Sequence, residues 1–140
     1  MNMRGLPRRS VLAGGFLLPA SFVRGQVSPS LSAREAHEAA RAGLLLIVDI
    51  RSRDEWADTG LAEGAIPLDA DGPAFEPRLA GLRLDHPGTR IALIDRSGAQ
   101  AAATVQKLAG RGWRDLVGVR GGMLGPGGWL AEKLPVVAYR

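Results

Sequence analysis

The chain has 140 residues, a length typical of one domain, and its 46% hydrophobic and 23% charged residues are typical of a soluble globular protein. It contains no cysteine, which excludes disulfides, thiolate metal sites and cysteine nucleophiles. Residues 1–25 carry four arginines and no acidic residue, so the net charge of +4 leaves 14 basic and 14 acidic residues in the remainder. This balance gives no surplus of charge for binding nucleic acid or an anionic membrane.

The first 25 residues have the layout of an export signal. A basic start at Arg4, Arg8 and Arg9 precedes an apolar stretch over 11–23, and small residues lead to Gly25. Glycine and proline interrupt that stretch, which is shorter than the roughly 20 residues of a membrane span. The paired arginines, followed by serine, valine and leucine, resemble a twin-arginine signal. We therefore predict a periplasmic or secreted protein cleaved near Gly25. A general secretory signal and retention as a membrane anchor are the alternatives.

The mature chain is predicted to begin with a linker and a helix. Residues 26–31 contain serine and proline and are predicted to form a short linker before a domain over 32–140. Capping boxes of the form S-x-x-E at Ser32 and Ser52 predict helices over 33–42 and 53–58.

Apolar runs without alternation predict strands buried on both faces of a sheet. Because these runs alternate with helical segments, the sequence predicts an α/β fold in which helices cover both faces of a parallel sheet. Ligands in such folds bind at the carboxyl ends of the strands, so the segments after Asp49 and Ile94 are the candidate site. The predicted strands cover 44–49, 65–68, 90–94 and 116–119, and the later helical segments cover 76–82, 99–109 and a last turn over 129–133.

The loop after Ile94 has the pattern of an anion site. It reads Asp95-Arg96-Ser97-Gly98-Ala99-Gln100 and leads into a helix, whose first N–H groups and dipole favour negative charge. The other interpretation is that Asp95 or Ser97 simply caps that helix. Spacing alone favours capping.

Several segments in order resemble the rhodanese family, over roughly residues 31–137. The resemblance implies one rhodanese-like domain with a five-stranded parallel sheet and helices on both faces. The segments are Leu46 to Arg51 with Glu55-Trp56 and Thr59-Gly60, Glu63 to Ile66, Arg96-Ser97-Gly98, Gly112-Trp113, Val117 to Val119, Gly121-Gly122-Met123 with Gly127-Gly128-Trp129, and Leu134-Pro135-Val136.

The resemblance also implies a changed active loop. Members of the family carry a sulfane sulfur on a cysteine at the position of Asp95, and many have an arginine at the position of Gln100 and a serine at that of Ala101. Arg96 is kept. We expect the Asp95 carboxylate to accept the loop N–H groups itself, and the domain to lack sulfurtransferase activity. The implied function is a binding or accessory module, linked to sulfur or redox metabolism, with a protein or small-molecule ligand.

Other chemistry at this loop needs more than the sequence provides. Asp95 could serve as a nucleophile in metal-assisted hydrolysis or phosphoryl transfer, but no second aspartate follows two residues later. Ser97 would need a base, and the two histidines, His37 and His86, are expected to be solvated surface residues without metal-ligand spacing. Asp49 and Arg51 are expected to hold neighbouring loops together. We expect no metal, no cofactor and no nucleic-acid partner, and membrane contact only through an uncleaved signal.

Overall fold

The computed structural model describes residues 29–140, and the predicted export signal lies outside them. The described chain is an α/β domain of four helices and seven short strands. The elements are β1 (Ser30–Leu31), α1 (Ala33–Arg41), β2 (Leu45–Asp49), α2 (Arg53–Thr59), β3 (Leu61–Ala62), β4 (Ile66–Pro67), α3 (Phe75–Asp85), β5 (Arg90–Ile94), α4 (Ala99–Ala109), β6 (Leu116–Val119) and β7 (Val136–Val137).

The predicted five-stranded parallel sheet is confirmed, in the order β1-β6-β5-β2-β4. The central strands β2 and β5 pair over their full lengths, so Asp49 lies beside Ile94 and the two candidate segments leave the sheet side by side. A separate antiparallel pair joins β3 to β7 and ties the end of the chain to the segment after α2.

Helices cover both faces of the sheet, as predicted. On one face, α1 and the segment after β6 bury Ala36, Met123 and Trp129 against the strands. On the other, α3 and α4 bury Leu79 and Val105. The central strands are buried on both sides, which explains why their sequences are continuously apolar. Among residues 29–140, no helix has the length and apolar character needed to cross a membrane.

Local signals predict the helix starts well and the short strands poorly. Ser32 and Ser52 both form complete capping boxes, as predicted. The predicted linker is wrong at Ser30–Leu31, which pair with β6 as an edge strand. The predicted helical turn over 129–133 is a series of hydrogen-bonded turns, because Trp129 and Leu130 donate their N–H groups back to Gly122 and Met123.

Candidate functional site

The Asp95 carboxylate lies inside its own loop. Its side chain is buried, with 1% of the residue exposed, directly after β5. One oxygen, Oδ1, accepts the Gly98 N–H at 2.6 Å, and Oδ2 accepts the Gln100 N–H at 2.8 Å. The predicted contact between the carboxylate and the loop amides is therefore present. Both oxygens face donors at the start of α4, where the helix dipole also favours a negative charge.

The turn at Gly98 makes this geometry accessible. Its φ of +103° is a left-handed conformation that residues with a side chain rarely adopt. Gly98 has no side chain with which to cap α4, and Asp95 supplies the acceptor from three residues earlier. Ser97 Oγ accepts the Ala99 N–H at 3.4 Å, so the capping role considered for Ser97 is a weaker contact than that of Asp95.

A glycine-rich segment holds the loop from behind. Met123 and Leu124 donate their N–H groups to the carbonyls of Asp95 and Arg96, both at 2.8 Å. A Cβ placed on Gly122 would lie 2.5 Å from the Asp95 carbonyl oxygen, which leaves room only for glycine. The density of glycines after Arg120 is visible in the sequence, but its contact with the active loop is not. The loop is thus shaped by backbone contacts that do not depend on the Asp95 side chain.

The outer face of the loop is open. Arg96, Ser97, Ala99 and Gln100 are exposed, and the Arg96 guanidinium lies 3.5 Å from the Glu55 carboxylate in a solvent-facing ion pair. A cleft of about 480 Å³ opens beside Gln100, between α4 and the segment that leads into α3. Its volume is within the range of small-molecule sites. Its walls include Phe75, Thr104, Lys107 and Leu108.

Asp49 and Arg51 form a buried ion pair beside this loop. The carboxylate accepts from the Arg51 Nε and Nη2 at 2.8–3.2 Å, and from the Trp56 indole N–H at 3.1 Å. The guanidinium also donates to the Thr59 hydroxyl and the Gly60 carbonyl. With 0% and 2% of these residues exposed, the pair joins β2 to the middle and the carboxyl end of α2 and presents no donor to solvent. These contacts are structural.

The two histidines lie away from the loop, and each is partly exposed and has a contact within the domain. The His37 ring packs edge-on against Trp129, with centroids 5.5 Å apart. The His86 Nδ1 lies 3.0 Å from the Leu82 carbonyl at the end of α3. Neither contact involves Ser97. Within residues 29–140, no three potential metal-ligating side chains cluster together.

Solved structures with this fold include proteins described as rhodanese-related. A Thermoplasma volcanium protein of that description is 24% identical, with a TM-score of 0.64 over 79% of this chain and 99% of its own. A thiosulfate sulfurtransferase from Pseudomonas aeruginosa is 25% identical, with a TM-score of 0.67 over 91% of this chain and 23% of its own. A Rhodopseudomonas palustris protein, described as of unknown function and a possible tyrosine phosphatase, is 18% identical, with a TM-score of 0.61 over 96% of this chain and 99% of its own.

Sequence comparison gives the family directly. The comparison with curated protein sequences found no match. The model of the rhodanese-like domain, however, matches residues 32–125, which include α1, the active loop and the glycine-rich segment behind it. The match covers well over half of the chain, and the sheet order and loop position agree with it. The chain therefore belongs to the rhodanese-like domain family.

Proposed function

We propose that this protein is an exported rhodanese-like domain without sulfurtransferase activity, which acts as a binding or accessory module. The observation that carries this proposal is the contact of the Asp95 carboxylate with the Gly98 and Gln100 amides. Those amides are the donors that the family resemblance assigns to a sulfur-carrying group. In this chain a side chain with no sulfur atom occupies them.

Charge and chemistry both argue against sulfur transfer. The step needs a thiolate that attacks a sulfane sulfur and retains it, and the chain contains no cysteine. An incoming dianion such as thiosulfate would meet the Asp95 carboxylate at the centre of the loop. Gln100, where many relatives have an arginine, supplies no positive charge to offset that repulsion. The sulfurtransferase activity in the name of the Pseudomonas aeruginosa neighbour therefore does not extend to this chain.

A thiosulfate:cyanide assay on the purified protein tests the proposal. We expect the wild-type chain to form no more thiocyanate than a blank without enzyme. In Asp95→Cys/Gln100→Arg, we expect the new thiolate to attack the sulfane sulfur, release sulfite and pass the sulfur to cyanide as thiocyanate. Asp95→Ser/Gln100→Arg is the matched control, since it opens the loop without a thiolate. Turnover by the wild-type protein would overturn the proposal.

The alternative, metal-assisted hydrolysis or phosphoryl transfer at Asp95, requires a carboxylate that faces substrate. Asp95 is 1% exposed and both of its oxygens accept backbone N–H groups, so neither is free to attack phosphorus or hold a metal. No observation on the described residues favours this second function. Hydrolysis of an aryl phosphate that depends on Asp95 would be the result in its favour.

Export and ligand binding have separate tests. The proposal of export depends on residues 1–25, and we expect a periplasmic product whose mass corresponds to cleavage near Gly25. Arg8→Lys/Arg9→Lys should block export if the twin-arginine route is used, and should leave export intact if the general secretory route is used.

Copurification from the periplasm would identify a protein partner. The cleft beside Gln100 is the place to look for a small-molecule ligand.

A further inference from the structure

The end of the sheet opposite the active loop is basic, although the domain as a whole is neutral. Because the strands are parallel, their amino ends meet at one edge, and an arginine stands at three adjacent strands there. Arg41 ends α1 four residues before β2 begins, Arg90 begins β5, and Arg114 lies two residues before β6. At about 4.8 Å between neighbouring strands, the three strand starts span roughly 10 Å. We call Arg41, Arg90 and Arg114 the basic edge.

Within residues 29–140, the three arginines of the basic edge form no ion pair. All three arginines are exposed, and in the part of the chain that the structure describes no carboxylate lies within 4.0 Å of their guanidinium groups. Asp115, the acid nearest to Arg114 in sequence, is paired with Arg83. A helix dipole accounts for a cation at the end of α1 but not for cations at the starts of two strands. The edge therefore presents positive charge to an external partner.

Exposed leucines flank the same edge. Leu44 is 66% exposed, and its carbonyl accepts the Arg90 N–H at 3.3 Å, so it lies beside that arginine. Leu84 is 79% exposed on the last turn of α3, two residues before His86. A shallow cleft of about 490 Å³ includes His86, Arg90 and Asp115. Leu44 and Leu84 are the two most exposed large apolar side chains of residues 29–140, and both lie at the amino end of the sheet.

We propose that the basic edge, with Leu44 and Leu84, docks this domain on an anionic lipid surface. Arginines bind lipid phosphates, and exposed leucines enter the headgroup region, which is a combination that a nucleic-acid backbone would not select. β1 runs parallel to β6, so its amino end, like those of the other strands, points toward this edge. The active loop would then face away from the membrane. This inference is independent of whether the domain carries sulfur.

Flotation of the full chain with lipid vesicles tests the inference. We expect binding to vesicles containing phosphatidylglycerol to exceed binding to pure phosphatidylcholine, and to weaken as salt is raised. In Arg41→Gln/Arg90→Gln/Arg114→Gln, each substitution should lower the partition coefficient about fivefold, since a basic residue near such a surface contributes about 1 kcal/mol. Leu84→Ser should lower partitioning to both vesicle types.

The matched control removes the same charge at the opposite end. Arg34→Gln/Arg53→Gln/Arg120→Gln keeps the basic edge and the export signal, and should bind anionic vesicles at least tenfold more tightly than the basic-edge variant. Both triple variants retain residues 1–28, so any affinity of that segment cancels. Equal binding by the two variants, or no preference for anionic lipid, would overturn the proposal. Loss of a copurified acidic protein from the basic-edge variant, without a change in vesicle binding, would assign the edge to a protein instead.

Discussion

The charged groups at the active loop have partners within the described domain, whereas the three arginines at the opposite end of the sheet do not. At the carboxyl end, the Asp95 carboxylate accepts hydrogen bonds from loop amides, Asp49 is paired with Arg51, and the exposed Arg96 is paired with Glu55. At the amino end, no carboxylate of residues 29–140 lies within 4.0 Å of a guanidinium group of the basic edge. The active loop and the groups beside it are thus paired within the domain, while the three arginines of the basic edge are not. A family's usual site and a particular member's interaction surface need not coincide.

The largest expected effect is at the buried ion pair of the carboxyl end. Asp49→Ala leaves the Arg51 guanidinium buried and unpaired and removes the acceptor of the Trp56 indole. We expect the free energy of unfolding to fall by about 3–5 kcal/mol, measured by urea denaturation. Glu132→Ala breaks the exposed pair with Arg34 and should cost less than about 1 kcal/mol. Similar losses in the two variants would contradict this assignment of roles.

Asp95 is expected to have the next largest effect. Asp95→Ala removes the acceptor of two amides at the start of α4. We expect the free energy of unfolding to fall by about 2 kcal/mol. Asp95→Asn should lose about half as much, because its carbonyl oxygen can still accept one N–H. Thermal and urea unfolding measure both. An Asp95→Ala protein as stable as the wild type would mean that burial of the carboxylate costs as much as its hydrogen bonds contribute.

Stability at the basic edge should change little. Arg90→Gln removes an exposed cation with no carboxylate partner, so the free energy of unfolding should stay within about 0.5 kcal/mol of the wild-type value. Arg83 is the comparison at the same end, since its guanidinium lies 4.0 Å from the centroid of the Trp113 ring and pairs with Asp115. Arg83→Gln should lower the free energy of unfolding by about 1 kcal/mol more than Arg90→Gln does. A destabilised Arg90→Gln protein would assign that arginine a structural role.

The smallest effect is a dependence on pH at the first capping box. Hydrogen bonds from the backbone N–H and hydroxyl of Ser32 hold the pKa of the Glu35 carboxyl below its ordinary value of 4.5. Because the folded pKa is the lower one, this contribution is present above pH 4.5 and is lost as the pH falls through the folded value. The difference in Tm between the wild type and Glu35→Gln should therefore be seen at pH 7 and vanish in acid. A difference that is constant with pH would contradict this origin.

How much of the fold the sequence predicts depends on the range of the interactions involved. The capping boxes at Ser32 and Ser52 act within four residues, and both helices begin where the pattern predicts. The buried strands are readable because a strand covered on both faces must be apolar at every position. The strands β1 and β3 have two residues each and no such pattern, since they exist only through pairing with β6 and β7.

The candidate site divides in the same way. By itself, the sequence determined that no thiol is present, that Asp95 begins the loop and that Gln100 stands five residues later. These are facts of composition and order. Only the tertiary structure decided which donors face the carboxylate and that Gly122 lies against its carbonyl, because these contacts depend on how distant segments pack. The formal charge of residues 26–140 also sums to zero in the sequence. The basic edge nevertheless arises in the folded domain, because a parallel sheet brings residues 41, 90 and 114 to one side.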